Sequence, residues 1–543
     1  MLVNIGIYTM LSNAVSSVDF KTFFYSRNIT IGLMYAIISL ISCLNIKDLG
    51  ICGGLIHFDY TIQIFSIFLF IVTILILNLT NSYPFIIKKD KVESNKLMNL
   101  KDKEEIYIYN KLNLLNNKFN QFNITEYSII ILLIITGSTF LMSSLDLVTI
   151  FLAIELQSYG LYILCTLHRN SESSTSAGLT YFLLGSLASC FILLGQGLIY
   201  ANEGNTSLEN LQIITAISDA SLYSNINYIY NSIQIALIIL SVGFLFKISA
   251  APFHFWSPDV YDSIPTIITT FVTIVTKISI LIFILKIINM TFKDLYSFSW
   301  INCLLISSVI SMIIGTILGL TQYRIKRLYA YSTISHIGFI LLSLSIFSIE
   351  SIQAFFFYLV QYSLSNLNLF FITIVIGYTL FLYSNKEIKN SINNINLNKL
   401  ERFNSPLQLI SQLKGYFFAN PILSLSLAIT LFSFAGIPPL TGFFAKQMVL
   451  KVAISKGYIF ISLIAILTSV ISAVYYLMII KQMFFDNSSY KYPYKFNNIN
   501  ITISEYLVDI ISILTLSILT FIFYINEVLN FFNILSFMFF NLI

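Results

Sequence analysis

The chain has 543 residues, 57% of them hydrophobic and 10% charged, with a formal net charge of +5 and a mean hydropathy of +0.82. Ordinary globular chains carry about 25% charged residues, so a soluble domain of this size is excluded. Runs of about 20 apolar residues follow one another from end to end, each long enough to cross a bilayer. Runs such as IIILLIITGSTFL do not alternate as the strands of a membrane barrel do. The chain reads as an all-α polytopic membrane protein.

Fourteen helices are predicted, near 2–17, 27–45, 58–80, 124–143, 145–167, 174–200, 230–250, 264–287, 299–320, 328–347, 352–383, 420–450, 457–480 and 502–526. The first three form an N-terminal segment, 1–85. No basic start with a small-residue cleavage site precedes the first apolar run, so it is expected to stay as a helix. Residues 86–123 are polar and rich in Lys and Asn, an expected extramembrane loop. Five helices fill 124–287 and five more fill 299–485, the second set interrupted by a polar linker at 384–419. A last helix and tail occupy 500–543. The five cysteines, at 43, 52, 165, 190 and 303, show no C-x-x-C pairing, so neither zinc nor a disulfide framework is indicated. There is no Gly-rich phosphate loop, Cys cluster or H-E-x-x-H, so no nucleotide, metal or nucleic-acid site is expected. Enrichment in residues with A/T-rich codons points towards an A/T-rich genome, an organelle genome being one candidate.

Sorting the cations gives an orientation. Of the 30 Lys and Arg residues, 22 fall in loops after odd-numbered helices and five after even-numbered ones, among them Lys286 near the end of the eighth helix. The positive-inside rule places the odd loops on the cytoplasmic or matrix side and both termini opposite. Three lysines remain, Lys247, Lys277 and Lys446, each inside a predicted span. Among the 25 acids Glu155 lies equally deep, whereas Asp146 and Asp509 lie nearer helix ends and could reach headgroups. A charge at the bilayer centre costs at least ~2.5 to 3.5 kcal/mol, so these four are expected to face the bundle interior, paired or hydrated.

Each has a bland alternative. Lys446 stands a short way beyond a helix break and could snorkel to an interface. Glu155 could serve only to neutralise a lysine. His254 follows Pro252 and could simply bond exposed backbone. His336, in AYSTISHIGFILL, could be a structural hydrogen bonder, although an unperturbed pKa of ~6.5 also suits proton relay.

Two helices are interrupted. Pro252 follows Lys247 in the seventh, with Pro258 and Pro265 ending the segment. In the twelfth, FAGIPPLTGFFAKQM places Gly436, Pro438, Pro439 and Gly442 in mid-span. Proline removes a backbone donor and clashes with the preceding turn, and in lipid such breaks survive only inside protein or around water. The seventh helix is fourth of helices 4–8, and the twelfth is fourth of helices 9–13. Five helices per unit is an odd number, so the second copy enters the membrane from the other side. That is the inverted repeat of many transporters, with the working site between the halves.

The stretches LAIELQSYGLYIL, KISAAPFHFWSPDVYDSIPT, AYSTISHIGFILL and FAGIPPLTGFFAKQ resemble the subunit 2 family of mitochondrial NADH dehydrogenase, respiratory complex I. The resemblance covers nearly the whole core. PFHFWSPDVY points to subunit 2 rather than subunits 4 or 5, as does Lys446 where subunit 4 typically has a glutamate. It implies an antiporter-like, proton-translocating subunit of the membrane arm in the mitochondrial inner membrane. Glu155 and Lys247 would form the coupling pair, Lys277 the central relay, Lys446 the relay or exit, and His336 a bridge between the last two. The implied partners are lipids and other membrane-arm subunits. NADH, FMN, iron–sulfur clusters and ubiquinone would be bound by other subunits, and no cofactor by this chain. The residues alone leave two alternatives open: a cation/proton antiporter subunit of a Na⁺(K⁺)/H⁺ exchanger, and a scaffold whose buried charges only lock helix packing.

Overall fold

Apolar helices that share a bilayer are sorted by their small and polar residues, and here the sorting yields a central layer wrapped by peripheral helices. The computed structural model describes residues 2–15, 21–44, 49–81, 85–86, 126–168, 171–213, 224–291, 300–383, 407–487, 501–502 and 505–541. In chain order the helices are α1 (Leu2–Val15), α2 (Lys21–Ser42), α3 (Tyr60–Asn81), α4 (Glu126–Ser143), α5 (Leu147–Thr166), α6 (Glu172–Glu203), α7 (Ser224–Ile248), α8 (Trp256–Ser263) and α9 (Thr266–Thr291). They continue as α10 (Trp300–Leu320), α11 (Ile325–Ile346), α12 (Ile349–Tyr383), α13 (Pro421–Ala435), α14 (Thr441–Ser455), α15 (Ile459–Phe484), α16 (Glu505–Thr520) and α17 (Ile525–Asn541). Ten of the described helices are long and apolar enough to cross a membrane, and α13, α17 and part of α7 are shorter apolar helices. The protein is an all-α, multi-pass membrane protein.

The apolar window of α9 is 100% buried, whereas those of α6 and α15 are only 39% buried. Thus α9 is the axis, and α6 and α15 present exposed apolar stripes, including Leu183, Leu194, Leu463 and Val470, at the periphery. Around the axis lie α3, α4, α7 and α12. The two five-helix units pack alike. The first helix of each (α4, α10) packs on the second (α5, α11) and on the last (α9, α15), and the third (α6, α12) packs on the broken fourth. The expected loop at 86–123 lies outside the described residues, apart from Ile86.

Two small antiparallel pairs complete the fold: β1 (Leu49–Ile51) with β2 (Ile56–Phe58), and β3 (Phe85–Ile86) with β4 (Ile501–Thr502). The β1–β2 hairpin is tied to the α4–α5 corner, where Leu145 N–H donates to the Leu55 carbonyl at 3.0 Å. Asp146 does not reach for headgroups. It is the N-cap of α5, accepting from Val148 N–H at 3.2 Å, which satisfies one of the orphan donors of a helix start.

The structure departs from the predicted elements in three places. The seventh span does not end at its prolines but resumes as α8, with Pro258 in the first turn, where a missing N–H costs nothing. The twelfth span, by contrast, breaks where its glycines and prolines were expected to interrupt it, giving α13 and α14. The tail after α16 is a helix, α17, packed on α12 and α3. Its asparagines and Glu527 read as an end of the membrane pattern, while Phe532, Leu535 and Phe539 are buried on one face. Finally, residues 407–419 of the linker pack against the bundle, where Ile325 N–H donates to the Gln408 carbonyl at 3.0 Å and Gly415 N–H to the Gln482 carbonyl at 3.0 Å.

Candidate functional site

Each predicted deep charge is carried on a helix whose neighbours supply hydroxyls or free carbonyls. Lys247 lies in the last turn of α7, beside the break. Its Nζ donates to the Tyr162 hydroxyl of α5 at 3.2 Å and to Ser189 Oγ of α6 at 3.4 Å, and it stands 5.7 Å from the Tyr162 ring centroid. Glu155, two turns earlier on α5, is half-buried; its Oε2 accepts from Ser158 Oγ at 3.5 Å, and its Oε1 is buried without a partner among the described residues. The Ser158 hydroxyl also neighbours that of Tyr162. Glu155 and Lys247, the expected coupling pair, do not form a contact ion pair. No salt bridge within 4.0 Å joins them among the described residues, and the two charges are separated by hydroxyl groups instead.

The break after Lys247 is re-satisfied from within. Trp256 Nε1 donates to the Phe246 carbonyl at 2.9 Å, Ala250 N–H donates to the Leu245 carbonyl at 3.0 Å, and the Trp256 ring stacks on Tyr181 at 4.6 Å. Ser249 takes a left-handed φ of 66° at the corner, a conformation that a non-glycine residue holds only where its surroundings impose it. His254 is buried in this corner, 4.7 Å from Phe255 and 6.4 Å from Tyr331 between ring centroids. Pro252 offers it a backbone partner, and no hydrogen bond links it to the lysines among the described residues. Its Nδ1 is buried without a hydrogen-bond partner among the described residues.

Lys277 is 1% exposed in the middle of α9. Its Nζ donates to Thr333 Oγ1 of α11 at 3.2 Å and to the Tyr362 hydroxyl of α12 at 3.5 Å, 5.7 Å from the ring centroid of Tyr261 on α8. His336, one turn beyond Thr333, bonds the Tyr358 hydroxyl through Nδ1 at 2.8 Å and the Tyr476 hydroxyl through Nε2 at 3.2 Å. Its ring lies 6.1 Å from that of Tyr362, which Lys277 bonds, and 5.1 Å from that of Phe434, whose carbonyl Lys446 bonds.

Lys446 does not snorkel. It is 7% exposed, and its Nζ donates to the Phe434 carbonyl at 2.8 Å and the Ala435 carbonyl at 3.0 Å. These carbonyls end α13, where a helix leaves orphan acceptors and the negative end of its dipole. The ammonium therefore bridges the break. Gly436 has φ 85°, and a Cβ there would sit 3.1 Å from Lys446 Cδ. A Cβ on Gly442 would fall 1.7 Å from the Ser433 carbonyl oxygen. Glycine is required at this point because α14 starts against the end of α13.

Sequence reasoning missed several groups. Lys286 and Lys326 were assigned to loops or helix ends, yet both are buried. Lys286 donates to the Ser144 carbonyl at 3.0 Å, and Lys326 donates to the Ile264 carbonyl. Near Lys326, Asp262 of α8 accepts from Arg324 and, at 3.1 Å, from Arg327, and Arg327 also pairs with Asp259 at 3.0 Å. The half-helix α8 is thereby clamped to the start of α11. The hydroxyls of Tyr162, Ser189, Thr333, Tyr358, Tyr362 and Tyr476 were also missed. Hydroxyl residues occur throughout such a chain, and only packing selects these six.

A family model described as "NADH:quinone oxidoreductase/Mrp antiporter, TM" matches residues 144–472. NADH-ubiquinone oxidoreductase chain 2 of Rhizopus oryzae is 44% identical over 492 residues, covering 89% of this chain and 86% of its own length. This chain belongs to the NADH-ubiquinone oxidoreductase chain 2 family. The bacterial members are more distant: NADH-quinone oxidoreductase subunit N of Pelagibacter ubique is 36% identical over 367 residues, 68% of this chain and 70% of its own length. Among solved structures, a chain of Thermus thermophilus respiratory complex I shares the fold with TM-score 0.69 and 23% identity, covering 97% of both chains. A chain of the Mrp complex of Dietzia sp. shares it with TM-score 0.72 and 16% identity over 98% of this chain and 95% of its own. The matched region holds Glu155, Lys247, Lys277, His336 and Lys446, together with both broken helices of this chain 2 family member.

Proposed function

We propose that this chain carries protons across the mitochondrial inner membrane as an antiporter-like membrane-arm subunit of H⁺-translocating NADH:ubiquinone oxidoreductase. The observation that carries the reading is the line of buried ionisable groups, Lys247, Lys277, His336 and Lys446, each bonded to a hydroxyl or a free carbonyl. An ammonium among neutral partners is easily made to give up its proton, because burial disfavours its charge and only a moving counter-charge restores it. Glu155 is that counter-charge for Lys247, acting through Ser158 and Tyr162. His336 passes protons between Lys277 and Lys446. The Lys-rich odd loops lie on the matrix side and both termini on the intermembrane-space side. NADH, FMN, iron–sulfur clusters and ubiquinone belong to other subunits, this chain holding no redox group, and neighbouring antiporter-like subunits flank it.

The test is Lys247→Ala in the assembled complex, in sealed membrane vesicles. Assembly should persist while proton uptake driven by NADH oxidation falls about tenfold, a barrier change of roughly 1.4 kcal/mol. Undiminished pumping by a fully assembled variant rejects the reading. The Mrp-like fold supports a second reading, cation/proton exchange. In that case the purified chain in liposomes exchanges Na⁺ or K⁺ for H⁺ without NADH. If the charges are only a packing lock, the double variant Glu155→Gln, Lys247→Met keeps both assembly and pumping.

A further inference from the structure

Lys286 lies on the same helix as Lys277, nine residues on, and plays no part in the path described above. Nine residues are two and a half turns, so the two lysines leave α9 on opposite faces about 13 Å apart along its axis. Lys277 faces α11 and α12, whereas Lys286 reaches the α4–α5 corner and donates to the Ser144 carbonyl. One neutral acceptor, the count among the described residues, is a poor return for an enclosed ammonium. What lies beside it accounts for the choice of lysine. A small cavity of about one water's size is lined by Lys286 together with Asp59, Thr61, Phe65, Met142 and Phe356. Asp59, the residue before α3, is 18% exposed, and its Oδ1 is held by Nδ1 of His57, itself 26% exposed and on strand β2. Lys286 is 5% exposed. Cation, carboxylate and imidazole therefore form a graded series from interior to surface. Lys286 and Asp59 share the cavity without touching, since no salt bridge within 4.0 Å joins them among the described residues.

We propose that Lys286, Asp59 and His57 form a proton-exchange site where the internal path meets the aqueous phase opposite the Lys-rich loops. The inference rests on the proton-carrying reading above. Lys286 as the ammonium gives one proton, through a water in the cavity, to the Asp59 carboxylate; an N–H bond breaks and an O–H bond forms. Asp59 passes that proton to the His57 imidazole, which loses it to bulk water. Lys286, left as the amine, is reloaded from the interior. On α9, Ser279 stands between the two lysines in sequence and bonds Gln157 at 3.0 Å, which extends the polar lining towards Lys277. The site joins the N-terminal three-helix segment to the second half of the first five-helix unit, giving that segment a chemical role.

Arginine separates proton exchange from a merely structural cation, because it keeps the charge and the hydrogen bond but does not release its proton. In the assembled complex, Lys286→Arg and Asp59→Asn should each lower NADH-driven proton transport at least tenfold, a conservative share of the roughly 10²–10⁴-fold that a positioned proton-transfer group contributes. Assembly and NADH oxidation by a soluble acceptor should be unchanged. Transport at the native rate in Lys286→Arg overturns the inference, whether or not Lys286→Met is impaired. If the Lys286 variants fail to assemble, Asp59→Asn with His57→Gln, both at partly exposed positions, decides it: native transport in that double variant rejects the site. Lys247→Ala run in parallel keeps the two questions apart, since impaired transport there with a native Lys286→Arg sinks this site alone.

Discussion

Tyr162 stands between the surroundings of Glu155 and those of Lys247. Its hydroxyl accepts from Lys247 at 3.2 Å and neighbours Ser158, which donates to Glu155. Its ring lies 4.9 Å from Tyr181 in an edge contact, so the position of the hydroxyl is fixed by aromatic packing rather than by its own bonds. Tyr162→Phe keeps that packing and removes the link. We expect assembly to be native and NADH-driven proton transport to fall about three- to tenfold, that is roughly 0.7 to 1.4 kcal/mol. Transport measured in sealed vesicles at the native rate would show that Glu155 reaches Lys247 by another route. The same logic distinguishes Lys446 from Lys277: the first is held by two backbone carbonyls that end a helix, the second, among the described residues, by side-chain hydroxyls alone. Lys446 thus carries a structural duty that Lys277 does not.

At the scale of elements, the two broken helices are built differently. The α7–α8 corner is closed by an indole N–H and by ion pairs from Asp262 and Asp259 to the start of α11. The α13–α14 corner is closed by an ammonium and by a backbone approach that leaves no room for a methyl group. Gly442→Ala must push α14 off the end of α13, an overpacking cost of about 1–3 kcal/mol or more. The expected outcome is a marked loss of chain in the assembled complex on native gels, and full incorporation would refute the close approach. Both corners were legible as breaks, because Pro252 and the Gly436, Pro438, Pro439 and Gly442 cluster interrupt long apolar runs. The resumption at α8 was not, because eight residues reading WSPDVYDS carry too little apolar periodicity to stand out from a loop.

At the scale of the whole molecule, the orientation is open to a direct check. Cys52 sits exposed in the β1–β2 turn with φ 58°, in the loop after the second helix. A membrane-impermeant thiol reagent should label it from the intermembrane-space side and not from the matrix side. Labelling from the matrix side alone would invert the positive-inside assignment and, with it, the direction of the proposed proton path. Of the other cysteines, Cys165 is buried in α5, Cys190 lies on the apolar exposed stripe of α6, and Cys43 and Cys303 are half-buried, so the label is read as the part lost in Cys52→Ser.

The sequence by itself determined that the chain spans a membrane many times as helices, that two spans are broken, and that Glu155, Lys247, Lys277 and Lys446 lie deep. Those conclusions follow from the cost of placing charge and unpaired backbone in hydrocarbon, which any single chain displays. Only the tertiary structure decided which groups touch. Apolar helices look alike from the sequence whether they face lipid or protein, so nothing in it separates the wholly buried α9 from the peripheral α6 and α15. For the same reason it could not show that Glu155 and Lys247 meet through hydroxyls, that Lys446 caps α13, or that Lys286 is enclosed beside Asp59. Each of those depends on which faces of distant helices are brought together, and that is settled by packing.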